Sequence, residues 1–200
     1  MFKAIKILSI SLMFFSVFVS KAYPDETALF TTVAPDALIL LDLSGSMNWN
    51  PAGGTATSKS LPCTSSACSR LAIAKTAIFN IFDDNNDNAI NSSDESSLNI
   101  RIGYMRFRDG DDTGGNYASG NIRLIREIGE RYSRIYCNSA TSCTITTNSG
   151  ELHNATWISG ERAYHGTPLA SSLHEAKLYL DAHKASDTAR ACRQKFVILI

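Results

Sequence analysis

Five apolar residues, Ala37-Leu38-Ile39-Leu40-Leu41, run without a break into Asp42-Leu43-Ser44-Gly45-Ser46. A run of this kind suits a strand covered on both faces, as the strands of a parallel sheet are. A second such run, Phe196-Val197-Ile198-Leu199-Ile200, stands at the far end of the sequence. Parallel strands need crossover connections, and two helical patterns lie between the runs. Ser69 is placed to cap a helix through about Phe82, with Leu71, Ala74, Ile78 and Ile81 on one face. Pro168 opens another to about Ala185, with Leu169, Leu173, Ala176 and Leu180 as its buried stripe. Leu98 to Phe107 alternates as a strand, with Ile100, Ile102 and Tyr104 on one side. Strand, helix, strand, helix, strand predicts an α/β domain with a mainly parallel sheet over residues 34–200. Its expected core includes Leu38, Leu40, Leu71, Leu173 and Ile198. A sequence that stops on an apolar strand reads as part of a longer one, since such a strand needs a further element to cover it.

The N-terminus reads as an export signal. Lys3 and Lys6 precede the uncharged stretch from Ile7 to Val19, and Ser20-Lys21-Ala22 sets small residues around a cleavage point before Tyr23. Thirteen residues rising ~1.5 Å each span about 20 Å, short of a ~30 Å hydrocarbon core, which favours cleavage over a membrane anchor. Residues 1–22 are the expected signal peptide and 23–33 a short extension, with the membrane met only during export. Removing 1–22 leaves 16 basic against 19 acidic residues, a net charge of −3 and no electrostatic footprint for nucleic acid. Export also fits the five cysteines. Two close pairs predict the staples Cys63–Cys68 and Cys137–Cys143, each pinning a Ser/Thr-rich excursion. Their spacings are wider than the two-residue gap common in zinc sites. Cys192 is left over, either free and buried or paired beyond residue 200.

Ligands of open α/β sheets bind beyond the carboxyl ends of the strands, which is where Asp42, Ser44 and Ser46 fall. Their alternation lets a tight turn aim a carboxylate and two hydroxyls at one point, with Gly45 relieving the bend. Such a hard oxygen set favours Mg²⁺, or Mn²⁺ or Ca²⁺, over zinc. The bland alternatives are an ordinary Ser-containing turn at Asp42 and a helix cap at Thr167. Asp-x-Ser-x-Ser after an apolar strand resembles the metal-ion-dependent adhesion site of von Willebrand factor A domains. Gly166-Thr167-Pro168-Leu169 is similar to that family's second element, whose Thr adds a ligand. A third element, an Asp in Thr-Asp-Gly after an apolar strand, would follow Ile200. The resemblance runs from about residue 36 onward. It implies a three-layer, Rossmann-like fold and a protein-binding module whose cation accepts a partner's carboxylate.

A second cation site is suggested at residues 83–94. Asp83, Asn85, Asp87, Ala89 through its carbonyl, Asn91 and Asp94 fall at positions 1, 3, 5, 7, 9 and 12 of an EF-hand-like Ca²⁺ loop. Asn88 takes the sixth position, where Gly is usual, and Asn tolerates the left-handed conformation there. Asp94 replaces the longer Glu at position 12, and a strand is expected to follow, so half an EF-hand is the reading; a solvated acidic turn is the alternative. An A-type domain with this loop and Cys-bearing inserts resembles the N-terminal region of PilY-type proteins, adhesins and assembly factors of bacterial type IV pili. That resemblance implies a place on the cell surface, pilus or outer membrane, or in the periplasm, with pilins or host surface proteins as partners. No enzyme is expected. The competing reading is a metal-dependent hydrolase or phosphatase using Asp42, but Ser44 stands where haloacid-dehalogenase-type phosphatases need a second Asp. Leu43-Ser44-Gly45 also lacks the Gly of a serine nucleophile elbow. Among the four histidines, His165 lies nearest Thr167 in sequence and is the one candidate base.

Overall fold

A four-stranded sheet in the order β3-β2-β1-β4 carries the molecule. The computed structural model describes residues 33–108, 123–147, 150–164 and 166–200. The expected signal peptide and nearly all of the expected 23–33 extension therefore lie outside the described residues, as does His165. Strand β1 (Asp36–Asp42) pairs in parallel with β2 (Arg101–Phe107) on one side and with β4 (Lys195–Leu199) on the other. The short β3 (Arg123–Arg126) closes the β2 edge antiparallel. Helices α1 (Arg70–Phe82), α2 (Ser92–Leu98), α3 (Tyr132–Cys137) and α4 (Leu169–Ser186) complete the α/β pattern.

The apolar run of β1 feeds both faces of the sheet, as expected for a strand flanked by parallel neighbours. Ala37, Ile39, Leu41 and Leu43 join Ile102 and Tyr104 in a core with Leu71, Ile78, Phe79 and Phe82 of α1 and with Ile135 and Tyr136 of α3. Leu38 and Leu40 face the other way and join Met105, Phe107, Ile128, and Ala176 and Tyr179 of α4. The two apolar clusters make the sheet the middle of three layers. Gly103 is a point of close approach: a Cβ there would lie 2.7 Å from Ile128 Cγ1. Helix α1 starts as expected, with Ser69 Oγ accepting the Ala72 amide at 3.1 Å.

Several expectations are corrected. The second strand begins at Arg101, and Leu98 closes helix α2 instead. Helix α4 starts at Leu169, one residue later than expected, with Pro168 at its N-cap. Its buried residues are Ser172, Glu175, Ala176 and Tyr179, while Leu169 and Leu173 are exposed. The helical period is right and its phase is turned by about one residue. Tyr179 sets that phase: its hydroxyl reaches inward and accepts the Ile128 amide at 2.8 Å. Ile81 is 53% exposed, on the outer side of α1. Strand β4 forms where expected, but Phe196, Val197, Ile198 and Leu199 are 39–49% exposed. Among the described residues it pairs on one edge only, and neither Ile198 nor Leu173 of α4 is a core residue.

Both staples form, Cys63–Cys68 with Cα atoms 5.8 Å apart and Cys137–Cys143 with 6.4 Å. Cys192 is free and exposed. At the strand starts, buried Asp36 binds Lys195 Nζ at 2.5 Å and His183 Nε2 at 3.1 Å, with Arg101 at 3.4 Å. These contacts fasten α4, β2 and β4 to one end of β1. No helix among the described residues is long and apolar enough to cross a membrane.

Candidate functional site

The other end of β1 opens between its two parallel neighbours. The Asp42 amide donates to the Ile200 carbonyl at 2.7 Å, and the Leu43 amide to the Phe107 carbonyl at 2.9 Å. The chain then turns into a 3₁₀ helix, Gly45–Asn48. Within that turn Asp42 Oδ1 accepts the Ser44 amide at 2.6 Å, which fixes the carboxylate against the backbone. Ser44 Oγ and Ser46 Oγ lie 3.1 Å apart. Two adjacent ligands of an octahedral Mg²⁺, each at about 2.0–2.1 Å, are separated by about 3 Å, so the hydroxyl pair fits that ion. Ser44 is buried, and Asp42 and Ser46 are half-buried. Thr167 is exposed at the start of α4, and its carbonyl accepts the Leu169 amide at 2.8 Å.

The segment leading to Thr167 is tied to this turn. The Tyr164 amide donates to the Leu43 carbonyl at 2.5 Å. Asn48 Nδ2 donates to the Ala163 carbonyl at 3.2 Å. Neither Asn48 nor the Leu43 carbonyl was marked by the sequence motif. Residues 154–164 thus form a strap over the carboxyl end of the sheet, and its underside rests on buried charge. Glu161 pairs with Arg106, and Arg108 Nη1 stands 4.0 Å from its other oxygen. Arg106 also donates to the Ala155 carbonyl at 2.8 Å, and Arg108 to Asn154 Oδ1. Tyr104 donates to Glu161 Oε1 at 3.3 Å. From α1, Lys75 Nζ donates to the carbonyls of Ser159 (3.0 Å) and Glu161 (2.5 Å). Burial lowers the Lys75 pKa from its usual 10.5 to about 8, against the pull of Glu151 and Glu161. Burial likewise raises Glu161, opposed by the two guanidiniums. The sequence held one signal of this network: Arg106 continues the inward face of Ile102 and Tyr104, where a charge requires a partner.

The acidic loop lies at the far end of α1. Asp83 is buried, and its two oxygens accept the amides of Asp87 and Asn88, each at 3.0 Å. Asn85 Oδ1 accepts the Asp87 amide at 2.9 Å, and Asp87 Oδ1 accepts the Ala89 amide at 2.9 Å. Asn91 Nδ2 donates to the Ala89 carbonyl at 3.1 Å. Asn88 has a φ of +66°, the left-handed turn expected at the sixth position. Contrary to expectation, a helix follows the loop. Asn91 and Asp94 form a capping box for α2, with Asp94 Oδ2 accepting the Asn91 amide at 2.7 Å. Ile90 at the eighth position is buried and exchanges amide bonds with Cys143 at 2.8 and 3.1 Å. Desolvation raises the Asp83 pKa despite its two amide donors, with Asp87 and Asp94 adding to the rise. Among the described residues, no three His, Cys, Asp or Glu side chains gather as a metal-ligand group. The loop carboxylates are turned to its own amides, and the Asp42 turn relies on hydroxyls.

Compared with family models, curated proteins and solved structures, the chain matches none.

Proposed function

We propose that this chain is a metal-dependent protein-binding module of the von Willebrand A type, acting outside the cytoplasm. The observation that carries the reading is the Asp42 turn: an oriented carboxylate and two hydroxyls 3.1 Å apart at the carboxyl end of the central strand. Asp42, Ser44, Ser46 and Thr167 would hold Mg²⁺ or Mn²⁺. The ion supplies a positive centre with a coordination position for an acidic side chain of the partner. Asp42 contributes the single negative charge of this set, so positive charge remains to attract a carboxylate. The tie between Leu43 and Tyr164 supports the reading, since it joins the Asp42 turn to the segment that precedes the second motif in sequence.

In this reading the acidic loop is a Ca²⁺ site of structural character, using Asp83, Asn85, Asp87, the Ala89 carbonyl, Asn91 and Asp94. The stapled excursions and this loop fit a PilY-type, pilus-associated protein, with pilins or host surface proteins as partners. Titration of the full chain with Mn²⁺, followed by loss of the free ion's paramagnetic resonance signal, tests the centre. Wild-type protein should take up Mn²⁺ and the Asp42→Ala variant should not. Equal uptake by both would overturn the reading. Release of phosphate from p-nitrophenyl phosphate, lost in Asp42→Ala, would instead establish the hydrolase alternative.

A further inference from the structure

We propose that Glu161 is a positioning residue for the cation centre: it locks the 154–164 strap so that Thr167 is held toward the Asp42 turn. The inference rests on the metal-binding reading above. Thr167 itself is exposed, so packing does little to place it. The strap that precedes it is tied directly to the site turn at Leu43 and Asn48.

Those two ties are single hydrogen bonds, each of which adds little by itself. The buried contacts are different. Glu161 is fully buried and draws together three elements through one side chain and one carbonyl. Its carboxylate meets Arg106 and Tyr104 of β2, and its carbonyl meets Lys75 of α1. Arg106 reaches past it to Ala155, and Arg108 to Asn154, so the same guanidiniums hold the far end of the strap. Arg106 and Arg108 are buried beside this carboxylate, and Lys75 is buried against the carbonyls of Ser159 and Glu161. Displacing Glu161 would take its carboxylate away from the buried guanidiniums of Arg106 and Arg108 in a low-dielectric site, which favours one placement of the strap. Rigid placement of this kind is what an outer shell supplies to a metal ligand.

The test is a double-variant cycle on the full chain with Mn²⁺ as the probe. Glu161→Gln keeps the shape and one acceptor oxygen but removes the charge. It should weaken Mn²⁺ binding about tenfold, at the low end of outer-shell effects. In a Thr167→Ala background it should cause no further loss, because Glu161 acts through Thr167. Losses that simply add, or unchanged affinity in folded Glu161→Gln, would overturn the inference. Amide exchange at Tyr164 gives a readout independent of metal: Glu161→Gln should speed it, and unchanged protection would count against the strap being locked. If wild-type protein takes up no Mn²⁺, the metal reading falls and the exchange measurement alone judges the strap. Should Glu161→Gln fail to fold, Tyr104→Phe carries the same cycle, since it removes a hydrogen bond to Glu161 Oε1 without stranding a buried charge. It too should weaken binding only while Thr167 is present.

Discussion

The Asp42 turn and the acidic loop at 83–94 are two oxygen-rich bends that solve opposite problems. The turn has one carboxylate, and its two serine hydroxyls meet each other. The loop has more carboxylates, yet they are bound to amides of the loop itself. The turn is shaped from outside, by two neighbouring strands and a strap pinned on buried charge. The loop is shaped mainly from inside, by several side chains that accept its own amides, where the turn has Asp42 Oδ1 on the Ser44 amide. A site built from outside can leave its donors directed at one another. A site built from inside must reorganise some of its donors to bind an ion. The difference predicts tight, specific binding at the first and weaker, stability-linked binding at the second.

Asp42→Ala should produce the largest effect. It deletes the only charged group of the turn, and Mn²⁺ affinity should fall beyond the about 100-fold that marks the upper range of outer-shell changes. Circular dichroism and thermal midpoint should stay near wild type, because Asp42 is half-buried at the strand end. A comparable loss of helix signal would mean that the residue serves the fold.

The Cys137–Cys143 staple bears directly on the loop. Cys143 exchanges amide bonds with Ile90, so the staple joins the end of α3 to the middle of the acidic loop. Replacing both cysteines by Ser should cost about 2 kcal/mol by loss of loop closure in the unfolded chain. The variant should bind Ca²⁺ more weakly by calorimetry and leave Mn²⁺ uptake at the Asp42 turn unchanged. Equal damage at both places would show that the two regions are not independent.

Asp83→Ala sharpens the same contrast. It strips two amides of their acceptor, one on Asp87 and one on Asn88, at a cost of about 1–2 kcal/mol without any metal. Added Ca²⁺ should raise the melting midpoint of wild-type protein and leave that of Asp83→Ala where it is. A Ca²⁺ shift that survives the substitution would place the ion elsewhere.

The parts legible in the sequence are those set by local pattern. The apolar run of β1 specified a strand buried on both faces, and cysteines five and six residues apart specified their own partners. The alternation at Asp42 pointed to the turn that forms there. The misses arise where distant contacts decide. Strand β3 and helix α3 went unread because Arg123–Arg126 and Tyr132–Cys137 are too short for periodicity to register. Helix α2 looked like loop because Ser92–Leu98 is rich in serine and aspartate; its capping box, Asn91 with Asp94, was the available signal. The phase of α4 follows Tyr179 and its hydrogen bond to Ile128, which no apolar count reveals. The strap under Thr167 depends on charges from residues 75, 106, 108 and 161, brought together only by the fold.

Lys75 offers the smallest effect and a separate handle on the externally built site. It sits midway along α1, the helix whose end opens into the acidic loop, but its amine faces the strap. Burial holds its pKa at about 8, against 10.5 for an exposed lysine. Between those values the unfolded chain binds a proton that the folded chain has given up, so stability rises with pH. The gain from pH 8 to 10 should be on the order of 1–2 kcal/mol. Above pH 10 the trend reverses. Burial holds Tyr132 and Tyr179 at about 12, so they keep protons that the unfolded chain loses. Chemical denaturation across this range should therefore show a maximum near pH 10 in wild-type protein. In Lys75→Met the rise from pH 8 should flatten while the fall above 10 persists. Asp83→Ala should keep both limbs, because residues 83–94 include no lysine, tyrosine or cysteine. A rise that survives Lys75→Met would assign it to another group and leave the strap's ammonium uncharacterised by pH.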